Sequence, residues 1–183
     1  MTLSQSQSRP IAVLIGAPGA GKSTVGRVLA HRLGVAFRDT DHDIEQSTAK
    51  AVSDIFFDEG EEHFRRLETA AVAAALGEHD GVLALGGGAI LDAANRTLLA
   101  GNRVIWLKVD VPTAAKRVGL ARDRPLLAIN PRAHLRELLA ARAPLYAEVA
   151  TDVVEASDLS VAAIVDLLCQ LLPQDVQEPR ATR

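Results

Sequence analysis

Residues Gly16 to Ser23 read GAPGAGKS, a G-x-x-x-x-G-K-[ST] run set directly between the apolar stretch IAVLI and the amphipathic stretch KSTVGRVLAHRLG. Small residues at these positions let backbone N–H groups close around phosphate oxygens, while the N-terminus of the following helix adds positive partial charge. Lys22 then reaches toward the terminal phosphates, and Ser23 offers its hydroxyl to Mg2+. A flexible glycine turn is the alternative, and the strand-then-helix context argues against it. The pattern specifies ATP or GTP and leaves open whether the phosphoryl group passes to water or to a second substrate.

The stretch RDTDHDIE carries Asp39 and Asp41, two apart at the end of VAFRD, where alternation sends both side chains the same way. A carboxylate near the phosphates suits a metal shell, and phosphorylation of an alcohol needs one that orients the hydroxyl or takes its proton. The competing reading makes Asp41 the cap of a helix beginning HDIE, with Asp43 a favourable first-turn charge. Asp110, at the end of VIWLKVD, is a rival metal carboxylate, but Pro112 two residues later favours a capping role. The triple glycine of GGGA, 86 to 89, admits a ligand where any side chain would collide. Arg65 has Glu61 at i−4 and Glu68 at i+3, which taken alone describes an ordinary ion-pair ladder. Arg122 and Arg124, in LARDRPLLAINP, sit on a segment suited to closing over phosphates. Arg142 precedes Pro144 and is expected at or near a helix end. The histidines at 31, 42, 63, 79 and 134 show no metal spacing with cysteine and receive no chemistry.

Elements that position these groups follow from short apolar runs alternating with longer amphipathic stretches. Strands are expected at IAVLI, VAFRD, GVLAL, RVIWLKV and near DVVE, with a helix from Lys22 closed by Gly34. Short helices are expected at DIEQ and SDIFFDEG, and a longer one through EEHFRRLETAAVAAAL, where Phe64, Leu67, Ala71 and Ala75 keep helical spacing. Further helices fall on AANRTLLAG and around 112 to 118, 132 to 142 and 160 to 172. Such alternation predicts an α/β fold with a parallel sheet covered on both faces and ligands at the carboxyl ends of its strands. GAPGAGKS, DTD and GGG each directly follow a predicted strand and so share one rim.

With 183 residues, 48% of them hydrophobic, the chain suits one globular domain. A formal net charge of −3 lacks the basic excess of a general polyanion binder, so nucleic acid and membrane surface are poor partners. The single cysteine, Cys169 in IVDLLCQLL, excludes an intrachain disulfide, reads as a buried structural thiol and fits a reducing, cytoplasmic setting. The start MTLSQSQSRP lacks the pattern of a signal peptide, and no run approaches a membrane span. Residues 1 to 9 and 173 to 183 are expected to be loose tails around a single domain from 10 to 172.

In order and at similar spacings, GAPGAGKST, DTD, FRRLE, LGGGA, RPLL and RAPLY resemble the motifs of the bacterial shikimate kinases, over about residues 11 to 172. The resemblance implies a P-loop kinase fold like that of nucleoside-monophosphate kinases, three-layered α/β/α, with a five-stranded parallel sheet in the order 2-3-1-4-5. It implies ATP-dependent phosphorylation of shikimate on its 3-hydroxyl, in aromatic amino-acid biosynthesis, by a cytoplasmic monomer. Carried onto this sequence, Gly19, Ala20, Gly21, Lys22, Ser23 and Thr24 hold the nucleotide phosphates, and Ser23 ligates Mg2+ with Asp39 acting through its water shell. Asp41 contacts the acceptor hydroxyls and is the candidate base; Lys22 and Arg124 act on the phosphoryl group. Arg65 and Arg142 grip the acceptor carboxylate, Gly86, Gly87 and Gly88 line its site, with a backbone N–H from Gly87, and Glu68 orients the network. Arg124 is the arginine of a lid over about 119 to 131, and Arg117 lies beside the adenine. Departures are EASDLS (155 to 160), which lacks a basic residue some relatives have beside the base, and Ala84, where some carry serine. Alternatives are a P-loop kinase for another small metabolite, such as gluconate or a nucleoside monophosphate, and a binding module without turnover.

Overall fold

A computed structural model describes residues 9–118 and 131–172. The segment expected to form a lid, with Arg122 and Arg124, and both expected tails apart from Arg9, lie outside the described residues. Five strands, β1 Ala12–Ile15, β2 Phe37–Asp39, β3 Val82–Ala84, β4 Val104–Lys108 and β5 Asp152–Glu155, form one sheet in the order β2-β3-β1-β4-β5. Every pairing is parallel, as the resemblance implied.

Side-chain alternation along the strands builds a core on each face. Ala12 and Leu14 of β1 join Ile105 and Leu107 on one face, under α1 (Lys22–Leu33) and α8 (Val161–Leu171). Val13 and Ile15 join Leu83 and Val104 on the other, under α4 (Gly60–Glu78) and α5 (Ala93–Leu99). Strands buried on both sides explain why the sequence shows continuous apolar runs there rather than alternation with polar residues. A smaller cluster of Ile44, Ile55 and Phe64 fastens α2 (Thr40–Thr48) and α3 (Val52–Asp58) to α4 beside the rim.

Helix ends follow the expected chemistry with two corrections. Gly34 adopts the left-handed conformation (φ 65°) and donates to the Ala30 and His31 carbonyls, closing α1. Asp110 caps α6 (Val111–Arg117) by accepting from Thr113 N at 2.8 Å, which ties up the rival metal carboxylate. The helix expected to begin at HDIE starts earlier, at Thr40, and its cap is Asp39 rather than Asp41. The helix expected over 132 to 142 is α7, Pro131–Val149, which continues through Pro144, so Arg142 lies within a helix and not at its end. An interior proline costs about 3 kcal/mol. Packing of Leu145, Tyr146 and Val149, all beyond the proline, against the second core face offsets that cost.

Candidate active site

The phosphate loop, residues 16 to 21, turns on glycines with positive φ at Gly16 (148°), Gly19 (81°) and Gly21 (91°). At Gly19 a side chain would also press on the Ala114 carbonyl at 2.9 Å, so the residue is required by both conformation and space. Lys22 Nζ donates to the loop's own carbonyls, Gly16 O at 2.8 Å and Ala17 O at 3.2 Å. Its burial lowers its pKa, an effect opposed by the nearby negative charges of Asp41 and Asp39. An opening of about 340 Å3 is lined by Gly19, Gly21, Lys22, Ser23, Thr24 and Arg117. Arg117 donates to the carbonyls of Gly19, Ala20 and Ala156, at 3.4, 3.3 and 3.3 Å. Ala156 belongs to the EASDLS segment, so Arg117 ties that segment's main chain to the phosphate loop.

Ser23 Oγ donates to Asp39 Oδ2 at 2.6 Å, and Asp39 Oδ1 accepts the Asp41 N–H at 3.1 Å. Asp39 therefore caps α2 and faces the phosphate loop with the same carboxylate. These adjacent oxygens fit Mg2+, which takes few protein ligands and fills its shell with water and phosphate. Among the described residues no cluster of three or more histidine, cysteine or acidic groups could hold a metal. Asp43 has a role beyond the helix dipole. Its carboxylate takes Arg38 Nε at 2.6 Å, and Arg38 also reaches Glu78, a surface-edge network linking α2 to α4.

Next to the phosphate loop lies a cleft of about 200 Å3 lined by Asp41, Arg65, Glu68, Gly87, Gly88 and Arg142, with Pro18, Val52, Phe56 and Phe64 as apolar walls. Pro18 belongs to this cleft and Gly19 to the other, so the two meet at the loop. Arg65 makes the expected ion-pair ladder and also lines the cleft. It pairs with exposed Glu61 at 2.9 Å and with Glu68 at 2.6 Å, while its guanidinium lies over the Phe56 and Phe64 rings. Glu68 is only 1% exposed; burial raises its pKa and the Arg65 hydrogen bond opposes the rise. Arg142 Nη1 donates to Gly87 O at 2.9 Å.

Asp41 Oδ1 is buried and finds no hydrogen-bond partner among the described residues. Burial, reinforced by the charge of Asp39, pushes its pKa up to about 6 despite the opposing pull of Lys22. A desolvated carboxylate with a free lone pair, one residue pair from the phosphate loop's serine partner, is equipped to accept a proton or align a hydroxyl.

The triple glycine is a matter of space. A side chain on Gly86 would strike Asp41 Oδ1 and Glu68 Oε1, one on Gly87 would meet Pro18 Cδ at 2.9 Å, and one on Gly88 would run into the Arg65 guanidinium. Ala84, paired in register with Asp39, is fully buried in β3. Two groups escaped sequence reasoning. Thr40, fully buried, accepts the Gly86 N–H at 3.0 Å, and Tyr146, 2% exposed, donates to Gly87 O at 2.6 Å. Their only signal was membership of the DTD and RAPLY motifs.

A protein-family model described as shikimate kinase matches residues 18–173. A shikimate kinase of Frankia casuarinae is 62% identical over 87% of this chain and 71% of its own length. One of Thermobifida fusca is 55% identical over 91% of this chain and 96% of its own. Among solved structures, shikimate kinase from Acinetobacter baumannii in complex with shikimate superposes with a TM-score of 0.82 at 40% identity, covering 90% of this chain and 93% of that one. With the phosphate loop, the paired arginines and the glycine-lined cleft assembled on one rim of a 2-3-1-4-5 sheet, this chain belongs to the shikimate kinase family.

Proposed function

We propose that the protein transfers the γ-phosphoryl group of ATP to the 3-hydroxyl of shikimate, releasing ADP and shikimate 3-phosphate in aromatic amino-acid biosynthesis. The observation that carries this reading is the small cleft joined to the phosphate loop, where two guanidiniums, Arg65 and Arg142, accompany the Asp41 carboxylate, whose Oδ1 has no hydrogen-bond partner among the described residues. Paired guanidiniums supply charge and bidentate geometry for a small carboxylate in a protein of net charge −3. A relative 40% identical was solved with shikimate bound, which supports the same acceptor here.

Transfer to an alcohol needs positioning and charge stabilisation more than covalent chemistry. Asp41 orients the acceptor hydroxyl and takes its proton as the phosphoryl group arrives. Lys22 exchanges the Gly16 and Ala17 carbonyls for phosphate oxygens. Glu68 holds the Arg65 guanidinium against the acceptor carboxylate, and Arg142 approaches it from α7. Arg117 flanks the base, and Arg124, carried by its motif, neutralises charge on the transferring group. Ser23, with Asp39 behind it, would hold Mg2+, which neutralises charge on the bound phosphates. Among the described residues no helix is long and apolar enough to cross a membrane, and a cytoplasmic monomer is the setting we propose. Residues 10–172 form the kinase domain in this reading, with the lid over about 119–131.

A coupled assay of ADP release across shikimate, gluconate and nucleoside monophosphates tests the proposal. Turnover with shikimate is expected. Turnover with gluconate or a nucleotide instead assigns a different acceptor, and shikimate binding without ADP release marks a silent module.

A further inference from the structure

Three consecutive glycines make a backbone with unusually free dihedrals, yet a ligand-facing main chain works only in one orientation. Its neighbours must therefore pin it. Gly86 is held at both ends, its N–H by Thr40 Oγ1 at 3.0 Å and its carbonyl by the Ala89 N–H at 3.1 Å. The next peptide is held through one atom, Gly87 O, which accepts from Arg142 Nη1 at 2.9 Å and from Tyr146 OH at 2.6 Å.

These two donors are unequal. Arg142 lines the cleft, and a guanidinium engaged by an acceptor carboxylate is drawn away from a neutral carbonyl, because charge-assisted pairs are the stronger ones. Tyr146 is 2% exposed, with its ring stacked on Trp106 at 5.4 Å between centroids and 25° between planes. Burial pushes its phenol up to about 12 against the opposing charge and hydrogen bond of the neighbouring Arg142, so the hydroxyl remains a donor at neutral pH. A peptide unit is planar, and no cis bond occurs among the described residues; holding the Gly87 carbonyl therefore also sets the N–H of Gly88 on the same plane.

We propose that Tyr146 is a positioning residue of the acceptor cleft, whose hydroxyl locks the Gly87–Gly88 peptide and so frees Arg142 to move onto the acceptor carboxylate. The proposal rests on the reading of this cleft as the acceptor site. It assigns Tyr146 an effect on acceptor affinity that a purely structural stack on Trp106 would not have.

The test is Tyr146→Phe in the full chain, which keeps the ring and removes the hydroxyl. The expected result is a rise of roughly fivefold to tenfold in KM for shikimate, from the loss of one buried hydrogen bond, with KM for ATP and kcat within about twofold of the parent. An unchanged KM for shikimate, or equal losses toward both substrates, overturns the proposal. Absence of shikimate-dependent ADP release by the parent overturns the acceptor reading, and this proposal with it; parent turnover beside an unaltered variant overturns this proposal alone. If the variant does not fold, the parent carries the test, because the chain holds a single tyrosine and biosynthetic fluorotyrosine labels only Tyr146. Its fluorine resonance is expected to shift on saturation with shikimate and not with ADP, and a resonance that shikimate leaves in place overturns the proposal.

Discussion

The carboxylate of Asp39 accepts the Asp41 backbone N–H at 3.1 Å on one oxygen and the Ser23 hydroxyl at 2.6 Å on the other. One side chain thus starts α2 and ties it to the phosphate loop. Asp41 is left in the first helical turn, relieved of capping, with Oδ1 buried and without a hydrogen-bond partner among the described residues.

Asp41→Asn is therefore expected to leave ATP affinity largely intact while lowering turnover about a hundredfold or more, the usual contribution of a positioned base. Nucleotide binding by calorimetry and ADP release measure the two halves separately. Turnover equal to the parent's would remove Asp41 from the chemistry.

The same group sets a pH dependence. Activity needs the ionised carboxylate, so kcat/KM is expected to fall as pH drops through about 6, the value to which burial raises Asp41. Stability runs the other way. Because the folded-state pKa lies above the ordinary 3.8, the native state binds the proton more tightly than the unfolded chain, and stability is lost as pH rises between 3.8 and about 6. Asp41→Asn should then be more stable than the parent by about 3 kcal/mol at pH 8, with most of the difference gone near pH 4. Thermal melts at the two pH values check the sign.

Arg142→Ala is expected to raise KM for shikimate roughly tenfold to a hundredfold through loss of a charged hydrogen-bonding partner, with KM for ATP little changed. Steady-state kinetics with each substrate varied in turn decides it; an unaltered shikimate affinity speaks against a carboxylate clamp.

Gly88→Ala places a methyl group against the Arg65 guanidinium while Gly88 itself has an ordinary φ of −102°. The flexible arginine, rather than the backbone, is expected to give way. The variant should fold with a near-parental Tm and lose acceptor affinity by roughly tenfold or more, the cost of displacing one charged contact. A large drop in Tm with intact affinity would show the reverse.

Asp43→Asn removes the Arg38 pair, in which both side chains are 25% exposed. A partly exposed pair of this kind contributes no more than about 1 kcal/mol, so a small loss in Tm with full activity is expected.

Much of the site was legible because the constraints on it are local. A strand followed by glycines, lysine and serine dictates a phosphate cradle through backbone sterics and hydrogen-bonding geometry that depend on neighbouring residues alone. Apolar runs buried on both faces, broken by amphipathic stretches, called for a parallel sheet with helices on each side, and the motifs at strand ends had to share a rim. Gly86 to Gly88 were readable as a place of close approach without knowledge of what approaches.

What approaches was settled by packing. Thr40 meets Gly86 across 46 residues and Tyr146 meets Gly87 across 59, and nothing in either residue's neighbourhood along the chain announces a partner at that separation. The choice of Asp39 over Asp41 as cap turned on where α2 begins, which depends on how Asp39 pairs beside Ala84 at the end of the sheet. Continuation of α7 through Pro144 required core contacts beyond the proline to outweigh a local penalty. The raised pKa of Asp41 is the clearest case. Desolvation sums over every atom that displaces water, and that sum exists only once the phosphate loop, the triple glycine, Glu68 and α2 have come together around one carboxylate.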